Sequence, residues 1–326
     1  MGKTERILTI LRQSGDFVSG TLLCEELGVS RTAVWKHVNK LRERGYCITS
    51  VRHRGHRLDS SPDLLVPEEV IPRLQTDRFG RDYRFLEETV STNAVASRLA
   101  NEGCPEGAVV VADAQSGGRG RLSRGWFSPP SSNLHVSVVL RPEVAPGQAP
   151  QMALVTAVVL RRAIQTSAPC PDISIKWPND VLIAGRKVGG ILCEMGADMD
   201  RVKHLVVGVG VNVNTSLEDF PPEIGDQATS LCTAVGHEVR RSRLLGTFLN
   251  DLESAYDVWR SDGLAPFLPE LRDYSTLLGR HVALTQLSET LEGIAEDLSP
   301  DGALLLRLTD GQLREVLCGD VHILDY

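Results

Sequence analysis

Residues 173–194 read Ile-Ser-Ile-Lys176-Trp-Pro-Asn-Asp180-Val-Leu-Ile-Ala-Gly-Arg-Lys187-Val-Gly-Gly190-Ile-Leu-Cys-Glu194. Three apolar runs, at 173–176, 181–183 and 187–194, are parted by gaps of only a few residues. One gap is the tight turn Ala184-Gly185-Arg186. Strands joined so closely are antiparallel, because a parallel connection needs a crossover of about a dozen residues or more. Outward from this stretch the pattern predicts strands at 84–88, 108–112, 134–140 and 204–212. Helices are predicted at 91–101, with Ser91 near the cap, at 150–166 and at 243–260. The class is therefore α+β: a mixed, largely antiparallel sheet with packed helices.

The chain has 326 residues, more than one hydrophobic core usually holds, so two or three domains are expected. A polar, proline-containing linker at 59–63 closes a first domain at 1–60. A catalytic-sized domain spans 66–272, and a small barrel of short strands spans 275–326. In the barrel, runs at 280–287, 291–298, 303–308 and 313–318 are separated by Asp301-Gly302 and Asp310-Gly311. The apolar stretches are too short for a membrane span. Seven cysteines, odd in number and without Cys-x-x-Cys spacing, read as reduced thiols of a cytoplasmic protein.

The formal charge of −7 is unevenly placed, since residues 1–60 carry eleven Lys/Arg against six Asp/Glu. A basic segment on an acidic chain points to a nucleic-acid contact confined to the N-terminus. The third predicted helix of that segment starts at an N-capping Ser30 and runs to about Arg44. Val34, Val38 and Leu41 occupy one face, with Arg31, Thr32, Trp35, Lys36 and Lys40 on the other. With a hairpin whose tip is Arg52-His53-Arg54-Gly55, this resembles a winged helix-turn-helix with Arg54 placed to touch phosphates. The alternative is a small helical protein-interaction module.

Four segments carry chemistry. Ser91-Thr92-Asn93 either caps a helix or reads a neutral polar ring. Residues 114–128 place Arg119, Arg121 and Arg124 among four glycines with no acidic residue, either a solvated basic turn or an anion clamp that orders as a lid. Lys176-Trp177-Pro178-Asn179-Asp180 is either a simple turn or a holder of metal-bound triphosphate, with Asp180 as the Mg²⁺ ligand. Lys187, beside Gly189-Gly190, either is a strand-end lysine or stabilises a carboxylate and an α-phosphate as they react. A weaker fifth segment, 208–214, sets Asn212 and Asn214 on one face.

Taken in order and spacing, Gly118-Arg119-Gly120-Arg121, Lys176-Trp177-Pro178-Asn179-Asp180, 187–192 and 208–214 resemble the signature segments of biotin protein ligases. The N-terminal winged helix-turn-helix and the small C-terminal SH3-like β-barrel resemble the bifunctional type, both ligase and biotin operon repressor. The resemblance implies a class II synthetase-like central domain. Its reaction joins biotin to a lysine of a biotin carboxyl carrier protein through biotinyl-5′-AMP, with ATP as co-substrate and Mg²⁺ as the metal. It implies that Ser91, Thr92, Asn93 and Gln115 hold the biotin ureido end, and that Arg119, Gly120 and Arg121 close over the carboxylate and phosphate. Lys187 would act with Arg119 and Arg121 at the reacting groups. Lys176, Asn179, Asp180, Asn212 and Trp126 would lie by the nucleotide. Operator DNA, contacted by Ser30, Arg31, Thr32, Trp35, Lys36 and Arg54, and homodimerisation on adenylate binding follow from the same resemblance. The wing departs from the family at His56, where an aromatic is common. The rival readings are a non-catalytic, small-molecule-sensing transcription regulator and a lipoate-type protein ligase.

Overall fold

The computed structural model describes residues 2–198, 201–286 and 289–324, and the chain divides into two compact units, Met1–Pro72 and Arg73–Tyr326. The first unit holds α1 (Lys3–Ser14), α2 (Gly20–Leu27), α3 (Arg31–Glu43), the hairpin β1 (Cys47–Val51) and β2 (Gly55–Ser60), and α4 (Pro67–Val70). The side chains of Ser19 and Ser30 accept the Leu22 and Ala33 amides, which fixes the starts of α2 and α3. Ile7, Leu8, Leu11, Leu23, Val34, Val38 and Leu41 form one core at helical spacing. Residues past the expected linker pack here as well: Arg12 of α1 holds the buried Glu69 carboxylate of α4 and donates to the Glu68 carbonyl at 2.7 Å.

In the second unit the order is β3 (Tyr83–Thr89), α5 (Thr92–Asn101), β4 (Val109–Gln115), β5 (Leu134–Leu140), α6 (Gln151–Ser167), β6 (Ile173–Lys176), β7 (Asp180–Ile183), β8 (Arg186–Ala197) and β9 (Val202–Val211). Then come α7 (Pro222–Gly225), α8 (Leu231–Val235), α9 (Arg241–Asp262), α10 (Leu268–Asp273), β10 (His281–Gln286), β11 (Glu289–Leu298), β12 (Leu304–Leu308), β13 (Leu313–Val316) and β14 (Asp320–Ile323). Seven strands form a mixed sheet in the order β3-β4-β5-β9-β8-β7-β6. Its one parallel pair among the described strands, β3 with β4, is the pair joined through a helix, α5, as a crossover requires. The remaining pairings are antiparallel, including the predicted β6-β7-β8 meander.

Helices α5 and α6 cover opposite faces of this sheet. Ala96, Leu99 and Ala100 of α5 pack on Val110, Val139 and Val206, whereas Gly189, next along β8 from Gly190, approaches Leu160 of α6. Helix α6 is apolar nearly all round, with Met152, Val155, Val158, Val159 and Leu160 fully buried, because it lies between the sheet and α9. Each such side chain contributes on the order of 1.5–3 kcal/mol. The C-terminal strands form a five-stranded antiparallel sheet, β13-β12-β11-β10-β14, one strand more than the sequence pattern showed. The predicted strand at 280–287 ends on Leu287, which lies outside the described residues.

Candidate active site

The α5 face of the sheet is bare backbone at its centre. A Cβ on Gly208 would lie 2.0 Å from Asn93 Oδ1, and one on Gly210 would lie 2.4 Å from the Trp126 ring. Gly190, cross-strand from Gly210, meets Trp126 and the Lys187 side chain in the same way. Strand alternation places the neighbours of this floor. Ser137 stands opposite Gly208 and His135 opposite Gly210, so both rise on the α5 face.

At the Gly208 end the polar side chains form one network. Ser137 Oγ bonds Thr92 Oγ1 at 2.8 Å and Asn93 Oδ1 at 2.6 Å. Asn93 Nδ2 donates to Glu194 Oε2 at 2.7 Å and to the Leu192 carbonyl at 3.2 Å. Gln115 Oε1 accepts the Thr92 amide at 2.9 Å, and its Nε2 donates to Ser128 Oγ at 3.1 Å. Ser91 occupies the N-cap position of α5 without a side-chain capping bond, and with Thr92 and Asn93 it is buried. This end thus gathers Thr92, Asn93 and Gln115, with Ser91 next to them at the start of α5. It adds Ser137, Ser128 and Glu194, which sequence reading missed. Ser137 left a signal, a lone hydroxyl in the valine-rich run 134–140.

The charged end is built by the β6–β7 turn. Lys176 and Asp180 are cross-strand partners there, and the Trp177-Pro178 peptide between them is cis. Asn179 braces the turn on β8: its backbone carbonyl accepts the Ile191 amide at 2.9 Å and its Nδ2 donates to the Ile191 carbonyl at 2.8 Å. Lys187 Nζ sits 2.7 Å from Asp180 Oδ1 and 5.4 Å from the Trp126 ring centroid. The indole Nε1 of Trp126 is buried and has no hydrogen-bond partner, although it lies directly over Gly210. An unpaired donor in such a position is one that a ligand can satisfy.

The arginine loop folds over this end. The Gly120 amide bonds the Arg124 carbonyl at 2.8 Å, and the Trp126 amide bonds the Gly118 carbonyl at 2.9 Å. Arg121 Nη1 donates to Asn179 Oδ1 at 3.1 Å, so the loop and the Lys176–Asp180 turn meet, while Arg119 is exposed. Asn212 is buried beside them: its Nδ2 donates to the Thr229 carbonyl at 3.1 Å, and its amide to the Val188 carbonyl at 2.8 Å. Asn214 is spent on both the amide and the carbonyl of Val239, a brace rather than a ligand contact. His135 is buried with neither ring nitrogen bonded, and burial, together with Arg241, pushes its pKa down to about 4.

In the first unit Ser30, Arg31, Thr32, Trp35, Lys36 and Lys40 are exposed along α3 while Val34, Val38 and Leu41 are buried, the division expected of a recognition helix. The wing is tied to the α1–α2 connection by two backbone bonds between Val18 and His56, at 2.8 and 2.9 Å. His56 Nδ1 lies 2.6 Å from Ser50 Oγ, and burial, then Arg42, lowers its pKa. Outside the wing, Phe17 of the α1–α2 connection carries Arg54 and Arg57 over its ring, at 4.3 and 4.8 Å from the centroid.

Three family models match parts of the chain. Residues 85–212 match the Biotin/lipoate A/B protein ligase family, residues 3–57 an HTH domain, and residues 277–324 the biotin protein ligase C terminal domain. The sheet with its arginine loop is thus a protein-ligase domain, flanked by a helix-turn-helix and a C-terminal module. Over 318 residues the chain is 36% identical to the bifunctional ligase/repressor BirA of Bacillus spizizenii, covering 97% of each. It is 29% identical to BirA of Escherichia coli, over 97% of this chain and 96% of that one. Among solved structures, the biotin protein ligase from Aquifex aeolicus in complex with biotin and ATP superposes with a TM-score of 0.64 at 30% identity. It covers 74% of this chain and 98% of that one. The chain belongs to the bifunctional biotin ligase/repressor family.

Proposed function

We propose that this protein activates biotin with ATP and transfers it to a lysine of a biotin carboxyl carrier protein, and that its N-terminal unit represses transcription in response to the adenylate. The observation that carries this reading is the single face shared by a neutral polar end, Thr92–Asn93–Gln115–Ser137, and a cationic end, Lys187–Arg121, separated by a glycine floor. The neutral end suits a ureido ring, whose one carbonyl and two N–H groups need both donors and acceptors. The cationic end suits two anions that repel each other as they approach.

In the first step a biotin carboxylate oxygen attacks the α-phosphorus of ATP and pyrophosphate leaves. Lys187, Arg121 and Arg119 neutralise the charge that gathers there. In the second, the carrier lysine amine attacks the biotinyl carbonyl, an amide forms and AMP leaves. Trp126, with its unpaired indole N–H, Lys176, Asn179 and Asn212 are assigned to the nucleotide. Asp180 fits a Mg²⁺ carried in on the triphosphate, because magnesium commonly takes one or two carboxylates and fills its shell with phosphate oxygens and water. Among the described residues no group of three or more His, Cys, Asp or Glu side chains forms a metal cage, consistent with a metal held mainly by its phosphates. Ser30, Arg31, Thr32, Trp35, Lys36 and Arg54 are assigned to operator DNA, with homodimerisation matching two half-sites. A cytoplasmic setting fits these partners, and among the described residues no helix is long and apolar enough to cross a membrane.

Pyrophosphate release from purified protein supplied with ATP and either biotin or lipoate tests the reading. Release with biotin alone is expected; release with lipoate alone assigns the lipoate reaction, and release with neither leaves a sensor without turnover.

A further inference from the structure

The polar network at the Gly208 end has a direction as well as a composition. Glu194 stands on β8 opposite Val206, so strand alternation puts it on the α5 face with Leu192 and Gly190. It is exposed, whereas Asn93, Ser137 and Thr92 are buried. Among the described residues it enters no ion pair, and its Oε2 accepts from Asn93 Nδ2 at 2.7 Å. A carboxylate and a backbone carbonyl, here that of Leu192 at 3.2 Å, can only accept, so both demand the Nδ2 of the Asn93 amide. Oδ1 is thereby left for Ser137 Oγ, 2.6 Å away, and since Oδ1 cannot donate, the single Ser137 proton goes to it. The 2.8 Å contact between Ser137 and Thr92 must then carry the Thr92 proton. Thr92 Oγ1 keeps its lone pairs. Gln115 Oε1, 3.2 Å from Thr92 Oγ1 and already accepting the Thr92 amide, keeps one of its own. Turning the Asn93 amide over would reverse the whole chain: Nδ2 would donate to Ser137, Ser137 to Thr92 and Thr92 to Gln115, which spends those acceptors.

We propose that Glu194 is a positioning residue for biotin: acting through Asn93, it sets the direction of the Asn93–Ser137–Thr92 chain so that acceptors remain for the two ureido N–H groups. The ligand in this proposal rests on the ligase reading. The direction of the chain follows from which groups can donate and which can only accept.

The test is calorimetric titration of the full chain with biotin, paired with steady-state pyrophosphate release. Glu194→Gln still offers Asn93 an acceptor and is expected to bind biotin within roughly twofold of the wild type. Glu194→Ala leaves only the Leu192 carbonyl to orient the amide, and a loss of roughly threefold to tenfold is expected, the worth of one hydrogen bond. Glu194→Lys sets a donor against Nδ2, and a loss of roughly tenfold to a hundredfold is expected. Adding Asn93→Asp to Glu194→Lys gives the lysine an acceptor and leaves an oxygen for Ser137, so most of that loss is expected to be recovered. In turnover the KM for biotin should follow these affinities, with kcat and the KM for ATP changed less. Wild-type affinity in Glu194→Lys, or a double variant no tighter than Glu194→Lys, overturns the role of Glu194 while the ligase reading stands. A KM for ATP that rises as much as that for biotin does the same, since it marks a merely structural effect. No binding of biotin by the wild type overturns the ligase reading and this proposal together.

Discussion

The ammonium of Lys187 rests 2.7 Å from the carboxylate of Asp180, across the β7–β8 pair and under the rim of Trp126. The pairing fixes the lysine toward the glycine floor rather than toward solvent. It also keeps the two groups proposed for separate tasks, Lys187 for the reacting anions and Asp180 for the metal, within a single contact.

Removing the cations is expected to slow adenylation without unfolding the chain. Lys187→Ala and Arg121→Ala should each lower biotin-dependent pyrophosphate release by roughly a hundredfold to a thousandfold, the usual cost of losing one preorganised electrostatic partner. Both side chains reach solvent, so the unfolding midpoint should hardly move. Wild-type release rates would remove both residues from the reaction.

The glycine floor parts the two ends of the proposed site. Gly208→Ala forces Asn93 to shift, whereas Gly210→Ala forces Trp126 to shift. Overpacking of this kind costs about 1–3 kcal/mol, so a roughly tenfold to hundredfold loss of affinity is expected for biotin in the first and for nucleotide in the second. Calorimetric titration of each ligand against each variant distinguishes the two losses. Equal effects on both ligands would show that the floor is not divided.

His135 makes the fold acid-sensitive over a defined window. Its folded pKa of about 4 lies below the value of about 6.5 of an unfolded chain, so the unfolded state binds the additional proton. Stability is therefore complete above pH ~6.5 and falls as pH drops from there toward 4, by about 3 kcal/mol in all. His135→Phe should flatten that part of the pH–stability curve, measured by urea unfolding at successive pH values. An unchanged slope would place the acid sensitivity elsewhere.

On the DNA side, Lys36→Ala should weaken binding to the chain's own upstream DNA in all sequences alike and reduce the salt slope by about one. Phe17→Ala should free Arg54 and Arg57 from their shared ring and weaken the same complex while α3 stays folded. Gel shifts across a salt series, with biotin and ATP present, read both effects. No adenylate-dependent complex in the wild type would remove the repressor assignment.

What the sequence displayed most clearly was whatever is decided locally. Strand β5 is found where the valine-rich run placed it, and the Ser30 cap and the Val34–Val38–Leu41 face of α3 depend on neighbours within a turn or two. Strand β14 was invisible because four residues beginning Asp320-Val321 become a strand only by pairing with β10, nearly forty positions away in sequence. The same reason hid Ser137 and the Asn93–Glu194 contact. Asn212 and Asn214 looked like a matched pair by alternation. Their amides are instead committed to different backbone segments, at Thr229 and Val239, which no local pattern encodes.

Gly190, Gly208 and Gly210 give the site a boundary made of main chain. No substitution at these positions can enlarge it, since every other residue adds atoms. A variant able to accept a bulkier analogue must therefore gain its room overhead, by trimming Trp126 or resetting the arginine loop, while changes beneath only narrow the choice of substrate.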